Sequence, residues 1–207
     1  MASLSEDITS ALARAQGWCT EAKAAELSRV LQNAPLPGLS VEIGVFGGSS
    51  LLPQALTFKH RGSGKAVGID PWSRDASLEE MIAEENKQWW GGLDHQKILE
   101  GCQNLIREFG VSEHVELLRA KSCDVVNQFA AESIDLLHID GNHSEALSYT
   151  DATMYLPKVK PGGYVFFDDI WWSDGTSGAT TRKAVMFLSQ HCTRVGVVGD
   201  CVILQKD

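Results

Sequence analysis

Apolar residues recur at helical spacing at the start of the chain, at Ile8, Leu12 and Ala15 and again at Ala25, Leu27, Val30 and Leu31, until Pro35 and Pro37 end the pattern. Two leading helices are predicted there. Beyond the Pro-Gly turn, short apolar runs of strand length alternate with helical stretches: SVEIGVF strand, SLLPQALTF helix, AVGID strand, a long helical stretch through Arg107, and HVELLRA strand. The order continues with CDVVNQFA helix, SIDLLHID strand, SEALSYTDATMYL helix, GGYVFFDD strand and TRKAVMFLSQH helix. Such alternation predicts a doubly wound α/β sheet with right-handed crossovers. The last two apolar runs, TRVGVVGD and CVILQKD, are too close in sequence for a crossover and must pair antiparallel. The expected fold class is α/β, a doubly wound, mostly parallel seven-stranded sheet with an antiparallel C-terminal hairpin, preceded by two N-terminal helices.

A length of 207 residues suits one domain, 1–207, made of a helical extension over 1–37 and a sheet core over 38–207. The formal charge of -9 disfavours nucleic acid, whose affinity for proteins comes largely from Lys and Arg neutralising phosphate. A small-molecule partner is the expectation. Five cysteines, Cys19, Cys102, Cys123, Cys192 and Cys201, are odd in number and lack CxxC spacing, which argues against a disulfide framework or a zinc site. The start, MASLSEDITSALARAQ, has no basic region followed by an apolar core, and no apolar run is long enough to cross a bilayer. The expected compartment is the cytoplasm, with no membrane partner.

Candidate chemistry lies where the predicted strands end. Asp70 closes AVGID, Asp140 closes LLHID, and Asp168 and Asp169 close YVFFDD. Ligands of an open parallel sheet lie beyond the carboxyl ends of its strands, so these acids are expected in one crevice. The turn VEIGVFGGSS places Glu42, Gly44, Gly47, Gly48 and Ser49 between a strand and a helix, where glycine lets the backbone turn sharply and approach a ligand. Glu42 stands where the first glycine of a GxGxxG fingerprint would fall. A carboxylate there repels a pyrophosphate but suits a ligand carrying an ammonium group, such as S-adenosylmethionine. Asp70 follows the turn at the spacing of an acid that accepts hydrogen bonds from ribose hydroxyls. Ser122, opening the helix after the third strand, is placed to touch an adenine ring, and is equally an ordinary N-cap.

From Leu39 onward the chain resembles the class I S-adenosylmethionine-dependent methyltransferases, on VEIGVFGGSS, GIDPWS, LHIDGNHSEA, YLPKVKPGGYVFFDDI and the terminal hairpin. The resemblance implies a Rossmann-like sheet and an S-adenosyl-L-methionine cofactor held by Glu42, Gly44, Gly47, Gly48, Ser49, Asp70, Ser122 and Asp140. IDGNHS followed by FFDD is similar to a metal-dependent small-molecule O-methyltransferase branch that includes macrocin-type sugar enzymes and relatives known as cephalosporin hydroxylases. This narrower resemblance implies that Asp140, Asp168 and Asp169 bind a divalent metal. Electrostatics gives a separate reason to expect a cation: unit charges about 4 Å apart repel by roughly 4 kcal/mol at an effective dielectric of 20. Three clustered carboxylates therefore need a metal, bound protons or separation. An oxygen-only set favours Mg²⁺, with Mn²⁺ or Ca²⁺ also suitable. Neighbours in an extended strand point to opposite faces, so Asp168 and Asp169 reach one ion only if the strand turns there.

His143, three residues after Asp140, is the expected general base, left neutral by a nearby cation and not itself a metal ligand. Some related sequences carry a second acid where this chain has Asn142, which places more reliance on His143. His138 shares the strand face of Asp140 but is expected to be a core residue outside the site. Trp89-Trp90 and Trp171-Trp172 flank the crevice and are candidates for aromatic walls and a lid, and Asp174 to Gly178 for a substrate loop. The expected activity is O-methylation of a small-molecule hydroxyl on a sugar, polyketide or phenolic diol. Two alternatives stay open: a metal-dependent hydroxylase or hydrolase on the same fold, and a noncatalytic adenosyl-ligand sensor. The two leading helices are placed either to cover the crevice or to build a homodimer interface.

Overall fold

A computed structural model describes residues 3–175 and 178–207. Helices α1 (Leu4–Arg14) and α2 (Glu21–Asn33) precede strand β1 (Leu39–Ile43), helix α3 (Leu51–Arg61) and strand β2 (Lys65–Ile69). Three helices come next, α4 (Arg74–Ser77), α5 (Glu84–Gly91) and α6 (His95–Glu108), then β3 (Val115–Leu118), α7 (Ser122–Val125) and β4 (Ile134–Ile139). The chain closes with α8 (Glu145–Tyr155), β5 (Val159–Phe167), α9 (Arg182–Leu188), β6 (Cys192–Val198) and β7 (Cys201–Lys206). The strands form one seven-stranded sheet in the order β3-β2-β1-β4-β5-β7-β6. β1 to β5 run parallel; β7 pairs antiparallel with both β5 and β6. The expected architecture is thus observed.

Alternation along the strands divides the core into two layers. Ala66, Leu136, Phe166 and Ile203 face the layer of α1, α2, α3 and α6, while Val67, Leu137, Val165 and Leu204 face that of α8 and α9. Both faces are covered, which is why the parallel strands read as continuous apolar runs. The N-terminal helices belong to the first layer, with Leu27 and Leu31 fully buried against α3. Ser3 caps α1 in a capping box with Glu6, and Thr20 caps α2 by accepting from Lys23 N.

Two helices differ from the sequence reading. The long helical stretch through Arg107 is broken into α4, α5 and α6: Glu80 takes φ 58, Gly92 ends α5, and the Asp94 side chain caps α6 by accepting from Lys97 N. The segment CDVVNQFA gives only the single turn of α7 and a 3-10 turn over Val126–Gln128, because Phe129 is already extended and buried. Among the described residues no helix is long and apolar enough to cross a membrane.

Candidate functional site

Hydrogen bonds carry the sheet one residue past its strand ends. Asp70 N donates to Leu118 O (3.1 Å), Gly44 N to Ile69 O (2.9 Å), Asp140 N to Ile43 O (2.8 Å) and Asp168 N to Ile139 O (3.0 Å). These four residues therefore stand in a row along the carboxyl edge, the place of ligand binding in such sheets. They border a cavity of about 620 Å³. Of the residues expected to hold a cofactor, Gly44, Ser49, Asp70, Ser122 and Asp140 line it.

Three expected cofactor residues lie elsewhere. Glu42 is fully buried beneath the cavity, accepting from Ser50 Oγ (2.9 Å) and Gln54 Nε2 (2.5 Å) and facing His138 Nδ1 at 3.0 Å. Its carboxylate is occupied by the protein rather than turned toward a ligand ammonium. Gly47 and Gly48 are packing residues: a Cβ at Gly47 would lie 2.5 Å from Gln16 O, and one at Gly48 2.8 Å from Cys102 Sγ. Gly44 is required twice over, by φ +86 and by the Asp140 carbonyl oxygen, which would lie 2.0 Å from a Cβ there.

Asp70 pins the turn as well as lining the cavity. One carboxylate oxygen accepts from Val45 N (3.0 Å) and Phe46 N (2.9 Å), the other from Trp72 N (2.7 Å). Burial raises its pKa above the ordinary carboxylate value, against the pull of those backbone donors. Ser122 is not the N-cap; Lys121 holds that position, and the Ser122 hydroxyl donates to Asp151.

The three metal-site candidates separate into two groups that share Asp140. Asp140 lies with His138 and Asp168 on one side, and with His143 and Asp169 on the other. β1 pairs Glu42 with His138, so alternation sends both toward the α2–α3 layer. There Asp168 Oδ2 receives His138 Nε2 at 2.6 Å and, from α2, Lys23 Nζ at 2.5 Å; Lys23 Nζ is also 3.9 Å from Asp140. Burial alone would neutralise His138, but hydrogen bonds to Asp168 and Glu42 hold its pKa up at about 10, so the imidazole is a cation at neutral pH. Burial likewise opposes the Lys23 charge and is outweighed by Asp140 and Asp168, which raise its pKa. Burial, then the Asp168 charge, push the Asp140 pKa well above its ordinary value.

The chain turns at Asp169, whose φ is 56, and this aims its carboxylate to the other side. His143 Nε2 lies 3.0 Å from Asp169 Oδ2, with the Trp172 ring 4.9 Å from the imidazole. Burial acts to raise the Asp169 pKa, but the hydrogen bond and charge of His143 keep it below the ordinary value. Asp200, on the β6–β7 turn, shows the opposite shift, raised by burial and by the Asp169 charge, and shares a hydrogen bond with Asp169.

His138 is fully buried, bonded at both ring nitrogens and absent from the cavity lining, as expected of a core residue, though it bears on the site through Asp168; Lys23 and Asp200 were not foreseen. Lys23 had a legible signal: it falls on the apolar stripe of α2, four and seven residues before Leu27 and Val30. The expectation of an oxygen-only acidic set is also corrected, since an imidazole accompanies each group. Trp89, Trp90 and Trp172 line the cavity together with Trp18, whereas Trp171 is 76% exposed and lies outside it. Trp18 stacks on Phe46 at 5.3 Å, and Trp89 meets Trp90 edge-on at 4.8 Å. Of the expected substrate loop, Thr176 and Ser177 lie outside the described residues.

The O-methyltransferase from Bacillus cereus in complex with SAH superposes over 100% of this chain and 91% of its own, with TM-score 0.63 and 18% identity. TomG, an O-methyltransferase from Streptomyces achromogenes involved in tomaymycin synthesis, solved with SAM, gives 100%, 90%, 0.62 and 18% in the same order. The O-methyltransferase NovP gives 89%, 79%, 0.67 and 17%. At these identities the likeness is one of fold. No curated protein matches the chain. A family model described as a methyltransferase domain matches residues 41–170, more than half of the sequence, and the chain belongs to that family.

Proposed function

We propose that the chain transfers the methyl group of S-adenosylmethionine to a hydroxyl oxygen of a small molecule. The observation that carries this reading is the His143–Asp169 pair on the rim of the cavity that Gly44, Asp70 and Asp140 border. Asp70 would take the donor's ribose on the one Oδ1 lone pair its backbone donors leave free, and Asp140 and the Gly44 backbone would face its amino-acid end. Ser122 would border the adenine. With Nε2 engaged by Asp169, His143 has Nδ1 left for the acceptor hydroxyl.

The step balances without further reagents. An oxygen lone pair attacks the sulfonium methyl, the carbon–sulfur pair returns to sulfur as a neutral thioether, and the hydroxyl proton passes to His143. Asp169, held ionised, orients the imidazole and stabilises its charged form. Holding both reactants in line supplies up to about 7–11 kcal/mol of barrier reduction, so the protein need form no covalent bond to either. The all-aspartate metal set implied by the resemblance does not fit the residues as they stand, although Asp140 lies within ligand reach of His143 and Asp169. Asp140, Asp168 and Asp169 do not gather as one set, and Asp168 already carries an ammonium and an imidazolium. No step here passes through a metal.

Calorimetric titration with S-adenosylmethionine, then transfer of its labelled methyl group to a panel of sugars, phenolic diols and polyketides, tests the proposal. His143→Ala should slow transfer by about 10²–10⁴-fold with donor affinity unchanged. Absence of donor binding would overturn the reading. Donor binding with no transfer would favour the sensor; turnover without the donor would favour the hydrolytic alternative.

A further inference from the structure

We infer that Lys23 is a resident cation: its ammonium fills the position between Asp140 and Asp168 that a divalent ion would need, so the buried group His138–Asp140–Asp168 refuses such ions. Lys23 lies on the buried face of α2, 6% exposed, and helps to line the cavity. Its Nζ stands 2.5 Å from Asp168 and 3.9 Å from Asp140. It thereby spans one carboxylate from the end of each of the strands β4 and β5.

Glu42 and Asp168 are the carboxylates at either side of His138 in a buried chain of contacts that Lys23 closes, with Asp140 a third carboxylate beside the ammonium. The contacts run Glu42–His138–Asp168–Lys23, with Ser50 and Gln54 completing the far end. A divalent ion could use Asp168 Oδ2 only by displacing the lysine, which would strand a buried ammonium without a partner. The other oxygen, Oδ1, is buried and unpartnered among the described residues. An ion drawn there would sit across a single carboxylate from Nζ, a like-charge contact at low dielectric. Lys23 is therefore a positioning residue, fixing Asp168 and Asp140 while leaving His143 and Asp169 to the acceptor.

The inference rests on the proposed methyl transfer only in leaving His143 and Asp169 to the acceptor; the refusal of metal is tested by Mn²⁺ alone. Electron paramagnetic resonance and calorimetry with Mn²⁺ would be run on chelator-dialysed protein in an Asp169→Asn background, which removes the second group Asp140–His143–Asp169, with Lys23 intact, with Lys23→Met and with Lys23→Arg. The proteins with Lys23 intact or Lys23→Arg should show no binding in the micromolar range, whereas Lys23→Met should bind Mn²⁺ about 100-fold more tightly than the protein with Lys23 intact. Micromolar Mn²⁺ binding with Lys23 intact would overturn the inference, as would equal affinities with Lys23 and with a folded Lys23→Met. Should Lys23→Met fail to fold, the titration with Lys23 intact still decides. Donor calorimetry on the chelator-dialysed wild type separates the two claims: absence of donor binding sinks the proposed function, while Mn²⁺ uptake in the Asp169→Asn background sinks only the role of Lys23.

Discussion

Asp151 shows how a single buried carboxyl ties this fold to pH. It lies on α8 beneath the Ser122 hydroxyl, and burial pushes its pKa up to about 6, the Ser122 hydrogen bond recovering only part of the shift. Because the folded value exceeds the unfolded one, the protonated group costs nothing below about pH 4, and the penalty grows until pH passes about 6. A shift of about 2 units corresponds to about 3 kcal/mol. Asp151→Asn retains an oxygen to accept from Ser122 and removes the charge. Urea denaturation should find it more stable than the parent by up to about 3 kcal/mol at pH 8 and equal to it near pH 4. A constant difference across that range would locate the effect in packing instead. Charges of this kind are poorly legible in sequence: Asp151 looks like a solvent-facing helix residue until the facing elements are known, and the apolar stripe that marks Lys23 as inward-facing does not name its partners. His138 is the sharper case, since LLHID shows a histidine at a buried strand position, while the hydrogen bonds to Asp168 and Glu42 that hold it charged come only from the registers of β4 against β5 and β1.

At the scale of elements, the site depends on β1 and β4 passing almost in contact where they end. Gly44 and Asp140 continue adjacent strands, and the absent side chain at Gly44 is what admits the Asp140 carbonyl. Gly44→Ala combines a left-handed backbone with a steric clash and should cost about 2–5 kcal/mol, with loss of donor binding as Asp140 is pushed aside. Gly62→Ala has φ +68 and nothing within 4 Å, so it isolates the backbone cost and should lose only about 1 kcal/mol. Thermal unfolding and donor calorimetry on the pair check this; equal losses would show that the close approach carries no special constraint. The strands were legible because runs buried on both faces need no partner to declare themselves, and the acids were legible because they stop those runs. The loops leaving the strands were not. Asp168 and Asp169 diverge because the chain turns at Asp169, whose carbonyl accepts from Trp172 N and Thr181 Oγ1, contacts that no local pattern announces. The helical periodicity from Arg74 to Arg107 likewise runs through its breaks, which are held by distant partners such as Asn142 donating to Glu79 O and Arg74 to Gly91 O.

Across the whole molecule, the formal charge of -9 sets up an attractive field for cations, and the carboxyl edge concentrates acids beside one cavity. The proposed donor and its product differ in the property that this field reads. S-adenosylmethionine carries a sulfonium, an ammonium and a carboxylate, for a net positive charge, while the demethylated thioether is neutral. Long-range attraction should therefore speed association of the donor and leave that of the product almost untouched. Stopped-flow fluorescence can follow both, since Trp72, Trp89 and Trp90 line the cavity. Raising the salt from about 10 mM to about 150 mM shortens the Debye length from roughly 30 Å to roughly 8 Å. The donor's association rate should fall severalfold over that range, its dissociation rate and the product's association rate staying nearly constant. Identical salt dependence for the two ligands would mean that the acids at the sheet edge are neutralised before any ligand arrives, by Lys23 and His138 locally and by bound protons on Asp140 and Asp200. Steering would then arise from contact geometry alone.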